Sequence, residues 1–380
     1  MLIDKLDEKI ISTYCKYLQC IGMLSRLSSE SDSPYINSRV AENVFCLVTG
    51  AENLGRADCS ADAKFGKIGV GIKTFLANNN YTMQKVAEFN RDASLIRNKS
   101  AEEIVKIIAE LRNERILSTM RIYGIETMIY HCVVREPNKI NIYECPMDLI
   151  DISNIKNIVE KSNGNVVYFE DKKNKYSFNL NKNTLYKRFE TNQILFFIEV
   201  KILSKPYELL TRLLSYETEL LCENMNMNTQ YKSVILPLFS DQGGRHVPEK
   251  SGLNQWNAAG RPRDCNEIYI PIPAWIHKKY PGFFPLADKP FTLKLPNGNE
   301  LLAKVCQDGR KALMSNPNRD LGQWLLREVM NLEEKELLTY EKLRVIDIDS
   351  VEIYKMSNKL YKIEFRPMGS YDEFLEYNKL

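Results

Sequence analysis

A chain of 380 residues, 44% hydrophobic and 27% charged, has the composition of a soluble globular protein and the length of two ordinary domains. Its formal net charge of +3 is too small to argue for a polyanionic partner by itself, and no apolar run reaches membrane-spanning length. Nine cysteines, an odd number without CxxC pairs, point to reduced thiols in an intracellular, cytoplasmic protein and against a disulfide framework or a structural zinc site.

Residues 3 to 27 carry apolar side chains at helical spacing and predict an amphipathic helix. A second helix is expected from the caps Asn37 or Ser38 to Gly50, carrying Glu42. Glycines punctuate the next stretch, which predicts a strand around residues 56 to 63, a turn at 65 to 67, and a strand from Ile68 to Leu76. Residues 81 to 98 read as a helix carrying Glu88. Residues 100 to 121 read as a longer helix with Ser100 and Glu103 in a capping box. Strand-like runs follow at ETMIYHCVV, KINIYEC, NVVYFED, KYSFNL and ILFFIEVKIL, then a helix from Tyr207 to Glu223. The polar, aperiodic stretch 224 to 232 is the expected linker between a first domain over 1 to 223 and a second over 233 to 380. From Ser233 on, short strands alternate with Gly/Pro/Asn turns, among them Asn297-Gly298-Asn299 between two alternating runs. With helices near 274 to 280 and 319 to 331, this pattern predicts a closed or nearly closed barrel.

Two constellations could carry chemistry. The first is Glu42, Asp58, Asp62 and Lys73, with Glu88 as a further acid. Lys73 stands in an apolar strand, where lysines are rare unless paired. Mg2+ takes hard carboxylate oxygens, and a neighbouring lysine can orient an attacking water at a phosphate. Chance acid/lysine spacings and ordinary strand-end charges give the same pattern. There is no Walker A run, no Gly-x-Ser-x-Gly, and no His-x-Lys-x4-Asp among the three histidines.

The second constellation is a pair of polar arms. The first holds Arg245, His246, Lys250, Asn254, Gln255, Asn257, Arg261 and Arg263, with Trp256 expected to pack beneath it. The second holds Gln307, Asp308, Arg310, Lys311, Ser315, Asn316 and Asn318. These residue types read base edges and hold phosphates in double-stranded DNA. Residues 231 to 330 hold 14 Lys+Arg and 9 Asp+Glu, a local excess of five positive charges.

The runs VPEKSGLNQWNAAGRPRD, NEIYIPIPAWIHKKYPGFFP, LPNGNELLAKVCQDGRKALMSNPN and LGQWLL resemble the B3-like recognition domain of type II restriction endonucleases, over about residues 233 to 378. The resemblance implies a seven-stranded β-pseudobarrel reading a short duplex sequence with two arms, fused to a separate nuclease domain. The first half resembles the PD-(D/E)XK nuclease core, in which an Asp precedes a strand bearing acid-x-Lys. Asp62 and Gly71-Ile72-Lys73 fill those places, with Gly71 where the second acid belongs. Glu42 or Glu88 could supply that acid from a helix. A competing alignment pairs Asp58 with Asp62-Ala63-Lys64. The expected fold is therefore α/β plus β: a PD-(D/E)XK-like α/β domain followed by the pseudobarrel. The expected activity is sequence-specific cleavage of duplex DNA to a 5′-phosphate and 3′-hydroxyl. Mg2+ would be held by Asp62 and Glu42, and dimerisation, even if transient on DNA, would serve double-strand cutting. The rival expectation is a non-catalytic DNA-binding regulator whose first half oligomerises or binds an effector.

Overall fold

The computed structural model describes residues 1–55, 59–77, 80–161, 164–216 and 232–378. The chain divides into two compact units, Met1–Ile116 with Ile125–Met227, and Leu117–Gly124 with Asn228–Leu380. The expected linker at 224 to 231 and the end of the expected helix after residue 216 lie outside the described residues.

In the first unit, α1 (Glu8–Met23) starts at Asp7, whose carboxylate accepts from the Lys9 amide, and α2 (Ser38–Thr49) starts at Asn37, which accepts from Val40 N at 2.9 Å. Gly50, at φ 72°, ends α2 in the left-handed conformation that glycine adopts without steric cost. After β1 (Glu52–Asn53) come β2 (Ala63–Phe65) and β3 (Ile68–Leu76), joined by a tight turn through Gly66 and Lys67. β3 spans the residues the sequence pattern gives it. Of the strand expected over 56 to 63, residues 59 to 62 are irregular and β2 begins only at Ala63, while residues 56 to 58 lie outside the described residues.

The stretch 81 to 98 is not one helix. It is β4 (Tyr81–Glu88) followed by the short α3 (Ala93–Ile96). β4 pairs along its whole length with β10 (Thr184–Glu190), a partner about a hundred residues away that overrides local helical spacing. The long helix α4 (Ala101–Tyr123) begins with the expected reciprocal box: Ser100 N donates to Glu103 Oε2 and Glu103 N to Ser100 Oγ.

Next come β5 (Thr127–Glu136), β6 (Lys139–Pro146), β7 (Lys156–Lys161), β8 (Val166–Glu170), β9 (Lys175–Asn179), β10, β11 (Phe196–Glu199) and α5 (Pro206–Tyr216). They build a six-stranded sheet, β1-β2-β3-β5-β6-β11, and a five-stranded one, β4-β10-β9-β8-β7. β3 and β5 are parallel neighbours with α4 in the connection between them, and the other pairings are antiparallel.

Strand alternation sorts the six-stranded sheet into two faces. Val70, Ile72, Val133, Ile140 and Ile142 pack against Tyr14, Leu18, Val44 and Phe45 of α1 and α2. Gly71, Lys73, Phe75, Tyr130 and Cys132 take the other face, where Phe75 and Tyr130 meet Phe189 of the second sheet at ring-centroid distances of 5.7 and 5.0 Å.

The second unit is a seven-stranded sheet in the order β12-β17-β18-β14-β15-β16-β13. Its strands are β12 (Lys232–Pro237), β13 (Ile270–Pro271), β14 (Phe291–Lys294), β15 (Glu300–Cys306), β16 (Ala312–Ser315), β17 (Ile348–Lys355) and β18 (Leu360–Pro367). The end strands β12 and β13 come back into contact, so the sheet is nearly closed. Helices α6 (Ala274–Lys279), α7 (Asp320–Gly322, continuing as a wider turn through Val329), α8 (Tyr340–Val345) and α9 (Ser370–Tyr377) accompany it. The apolar run LRVIDID begins in α8, which Thr339 caps by accepting from Lys342 N. No helix among the described residues is long and apolar enough to cross a membrane, and the eight cysteines among them are free thiols.

Candidate active site and nucleic-acid interface

The ladder between β2 and β3 ends at Ala63 opposite Val70. One step further, Asp62 holds on to β3 by two bonds: its amide donates to Val70 O at 2.9 Å, and its Oδ2 accepts from Ile72 N at 2.7 Å. The carboxylate thus stands where the next ladder bond would be, with one oxygen left for another partner. Lys73 follows Ile72, half-buried, its ammonium 6.0 Å from the centre of the Tyr130 ring.

Glu42 reaches the same place from the first turns of α2. It is 8% exposed, and Arg39 Nη1 lies 3.1 Å from its Oε2. Burial raises the pKa of Glu42, the Asp62 charge adds to that, and Arg39 and Lys73 oppose it. Cys46, one turn further along α2, is pushed up to about 11 by burial and by the charges of Glu42 and Asp62. Glu42 thus feels the charges of both Asp62 and Lys73.

Two candidates fare differently. Asp58 lies outside the described residues. Glu88 ends β4 in the other sheet, on a strand and not on the expected helix. Its carboxylate bonds Lys85 and Asn90 rather than Asp62 or Lys73, and the Lys85 hydrogen bond holds its pKa below the usual range. At Gly71 a β-carbon would come within 2.6 Å of Met147 Cε and 3.1 Å of the Tyr130 ring, so the place of an acid two residues before the lysine is already filled by packing. Arg39 went unnoticed in the sequence. Its position three residues before Glu42 on a helix was the signal available.

The donor set suits Mg2+: two hard carboxylates, one with a free oxygen, beside an open ladder end. Among the described residues no three His, Cys, Asp or Glu side chains converge as a metal cage. Ligands beyond Glu42 and Asp62 would have to be water or substrate phosphate.

In the second unit the arms separate into structural and available residues. Asn254 is fully buried: its Nδ2 donates to Pro248 O and Leu338 O, and its Oδ1 accepts from Leu338 N. Arg263 donates to the carbonyls of Ala258, Ala259 and Arg261, closing its own loop. Arg261 forks onto the buried Glu267, and Arg245 bridges Asp241 and Asp372. His246 pairs with Ser240 in an isolated bridge, and Asn257 donates to Glu249 O. Ser315 is 1% exposed, with its Oγ accepting from Leu321 N. Trp256 is half-buried as expected, its indole nitrogen enclosed without a partner. Lys250, Gln307, Asp308, Lys311, Asn316 and Asn318 are exposed, Gln255 and Arg310 partly so, and none has a side-chain partner among the described residues.

The second arm is not one loop. Its centre is the buried strand β16, so Gln307–Lys311 and Asn316–Asn318 leave opposite ends of that strand, about 16 Å apart along an extended chain. The first end is pinned beside α6, where Ile272 N donates to Lys311 O and His277 lies 2.8 Å from Arg310 O. The second precedes α7, whose neighbourhood bonds Asn266 at the base of the first arm through Gln323 and Arg327.

The second unit is a nearly closed seven-stranded sheet with polar loops and cations that have no side-chain partner among the described residues. Residues 226–357 match the family model of the NgoFVII C-terminal B3-like DNA-binding domain, a restriction-enzyme domain. That stretch of the second unit is thus similar to a B3-like DNA-binding domain of a restriction enzyme. No curated protein matches the chain.

Proposed function

We propose that the protein is a Mg2+-dependent, sequence-specific double-stranded DNA endonuclease of type II, with a PD-(D/E)XK-like first unit that cuts and a B3-like second unit that recognises the site. The observation that supports the cutting role is Asp62 fixed where the β2–β3 ladder stops, one residue from Lys73 along β3, with Glu42 feeling the charge of both. Glu42 and Asp62 would hold Mg2+, which would supply charge neutralisation at the scissile phosphate and a water of lowered pKa. Asp62 is rigid, fixed to β3 through Ile72 N. Glu42, paired with Arg39, would exchange that partner for the metal. Lys73, one residue beyond the pinned amide, orients the attacking water and offsets charge building on the phosphate. The site read by the second unit is held by its free side chains, with Lys250, Arg310 and Lys311 on phosphates and Gln255, Gln307, Asn316 and Asn318 within the polar loops. One such catalytic set per chain makes double-strand cutting the work of two chains or two binding events.

A DNA-binding regulator remains the second reading. The glycine at position 71 and the pairing of Glu42 with Arg39 favour it. The two readings part on one experiment. Purified protein is incubated with phage DNA at low salt, with Mg2+ or EDTA. Discrete Mg2+-dependent fragments are expected from the wild type and none from Asp62→Asn, which keeps an oxygen for Ile72 N and should bind DNA as before. Asparagine is the better probe than alanine, which would also orphan that amide at a cost of about 1–3 kcal/mol. Intact DNA that shifts in mobility with the wild type would leave only the regulator; cleavage by Asp62→Asn would remove the catalytic assignment.

A further inference from the structure

Where the two sheets of the first unit face each other, the inner rows hold more hydrogen-bond donors than acceptors. Lys187 lies on the inner face of β10, 5% exposed. Its ammonium is 4.6 Å from the centre of the Phe189 ring and 5.9 Å from that of Tyr130, and it has no hydrogen bond or ion pair among the described residues. Arg112, on α4 and 2% exposed, donates Nη1 to Asp148 O at 2.9 Å and Nη2 to the Tyr130 hydroxyl at 3.4 Å. Its Nε is enclosed and has no acceptor.

Two buried phenols flank these cations. Tyr176, the cross-strand neighbour of Lys187, has a hydroxyl with no partner, and the buried Tyr143 hydroxyl has the Cys132 thiol, a weak partner, beside it and feels Cys145 and Glu190 as well. The carboxylates that act on these groups are engaged elsewhere: Asp148 with Lys173 at 2.8 Å, Glu190 with Arg188 at 2.8 Å, and Asp171 with the Lys173 and Asn174 amides. Burial holds the Lys187 pKa down, while the Cys145 and Cys132 thiols pull it back up. A buried ammonium and an orphaned guanidinium nitrogen are costly to leave without a counter-charge, and replacing such groups by apolar ones commonly stabilises a fold.

We propose that this inter-sheet layer binds a small oxyanion of the phosphate type, held by Lys187, the Nε of Arg112 and the hydroxyls of Tyr143 and Tyr176. Each of the four groups can donate, and a tetrahedral oxyanion can accept from several donors at once. The Asp148 carboxylate stands outside the set, turned to Lys173. The arrangement lies on the sheet face that carries Lys73, but it uses none of Glu42, Asp62 or Lys73. The proposal therefore stands whether or not the chain cuts DNA.

The test is thermal unfolding of the full chain in orthophosphate against chloride at matched ionic strength, with calorimetric titration to confirm binding. Orthophosphate is expected to raise Tm of the wild type saturably. Lys187→Met, apolar and of similar length, should raise Tm in chloride and abolish the phosphate response. Tyr143→Phe and Tyr176→Phe each remove an orphaned hydroxyl. They should leave the chloride Tm unchanged or higher and weaken phosphate binding about tenfold. If Lys187→Met does not fold, these two variants decide. A parallel titration with a nucleoside 5′-monophosphate tells the source: equal binding assigns a phosphomonoester, and binding of orthophosphate alone assigns the free ion. No saturable response in the wild type, or one left unchanged by all three substitutions, would overturn the proposal.

Discussion

At Glu42 a carboxylate is held where its charge is disfavoured, by burial first and by Asp62 second, with Arg39 offsetting only part of this. The folded chain therefore keeps the Glu42 proton to a higher pH than the unfolded chain does. Between the ordinary glutamate value and the raised one, the native state binds more protons, so this group's contribution to stability falls as pH rises. Glu42→Gln removes that dependence, and the metal-free variant should be more stable than the wild type at neutral pH by about 1 kcal/mol. It should also fail to cut. Melting curves in EDTA over a pH series check the sign: the wild type should lose ground to the variant as pH rises through the window, and parallel curves would refute it. Asn254 makes the opposite case, a candidate base-reading amide that serves the fold. Asn254→Ala strands Leu338 N, Leu338 O and Pro248 O, and should cost about 2–3 kcal/mol of stability in denaturant titration. Its effect on DNA affinity at temperatures where it stays folded should be small.

At the level of elements, β3 shows why the second acid lies elsewhere. Its residue 71 faces Tyr130 and Met147, so a side chain there displaces packing before it can reach a metal. Gly71→Ala should destabilise by about 1–3 kcal/mol through overpacking, and shortening the flexible neighbour in Gly71→Ala/Met147→Ala should recover much of the loss. Equal destabilisation in the single and double variants, measured by urea unfolding, would show that the backbone and not Met147 sets the limit. β3 was legible because its alternation and flanking glycines are local signals, and so were the caps Asn37, Gly50 and Ser100 with Glu103. β4 was not, because Tyr81–Glu88 has spacing compatible with either element and its partner β10 is distant in sequence. β16 was hidden inside what reads as one polar arm, since four apolar residues between charged flanks look like part of a loop. Composition likewise does not separate an arginine that reads a base from Arg263, which satisfies the carbonyls of its own loop.

Across the whole molecule the +3 charge is unevenly distributed: residues 231 to 330 carry five excess positive charges, and many of the cations there are already engaged. Arg245, Arg261 and Arg263 hold carboxylates or carbonyls of their own unit, whereas Lys250, Arg310 and Lys311 do not. Affinity for duplex DNA at fixed sequence should therefore divide the two groups by salt dependence, which counts neutralised phosphates independently of base reading. Alanine at Lys250, Arg310 or Lys311 should weaken binding to specific and non-specific duplexes alike. Each should also flatten the slope of log K against log salt by about 0.9 for every phosphate it ceases to neutralise. Alanine at Arg261 or Arg263 should leave that slope near the wild-type value. Its expected effect is a lower melting temperature, because Glu267, 4% exposed, loses one of its two arginine partners in a place where a carboxylate is costly to leave under-compensated. Fluorescence anisotropy over a salt series, beside a melting curve for each variant, measures both quantities. An unchanged slope for Lys250→Ala, Arg310→Ala and Lys311→Ala together would move the phosphate-binding surface away from these loops. A flattened slope with an unshifted melting point for Arg263→Ala would return that arginine to the DNA.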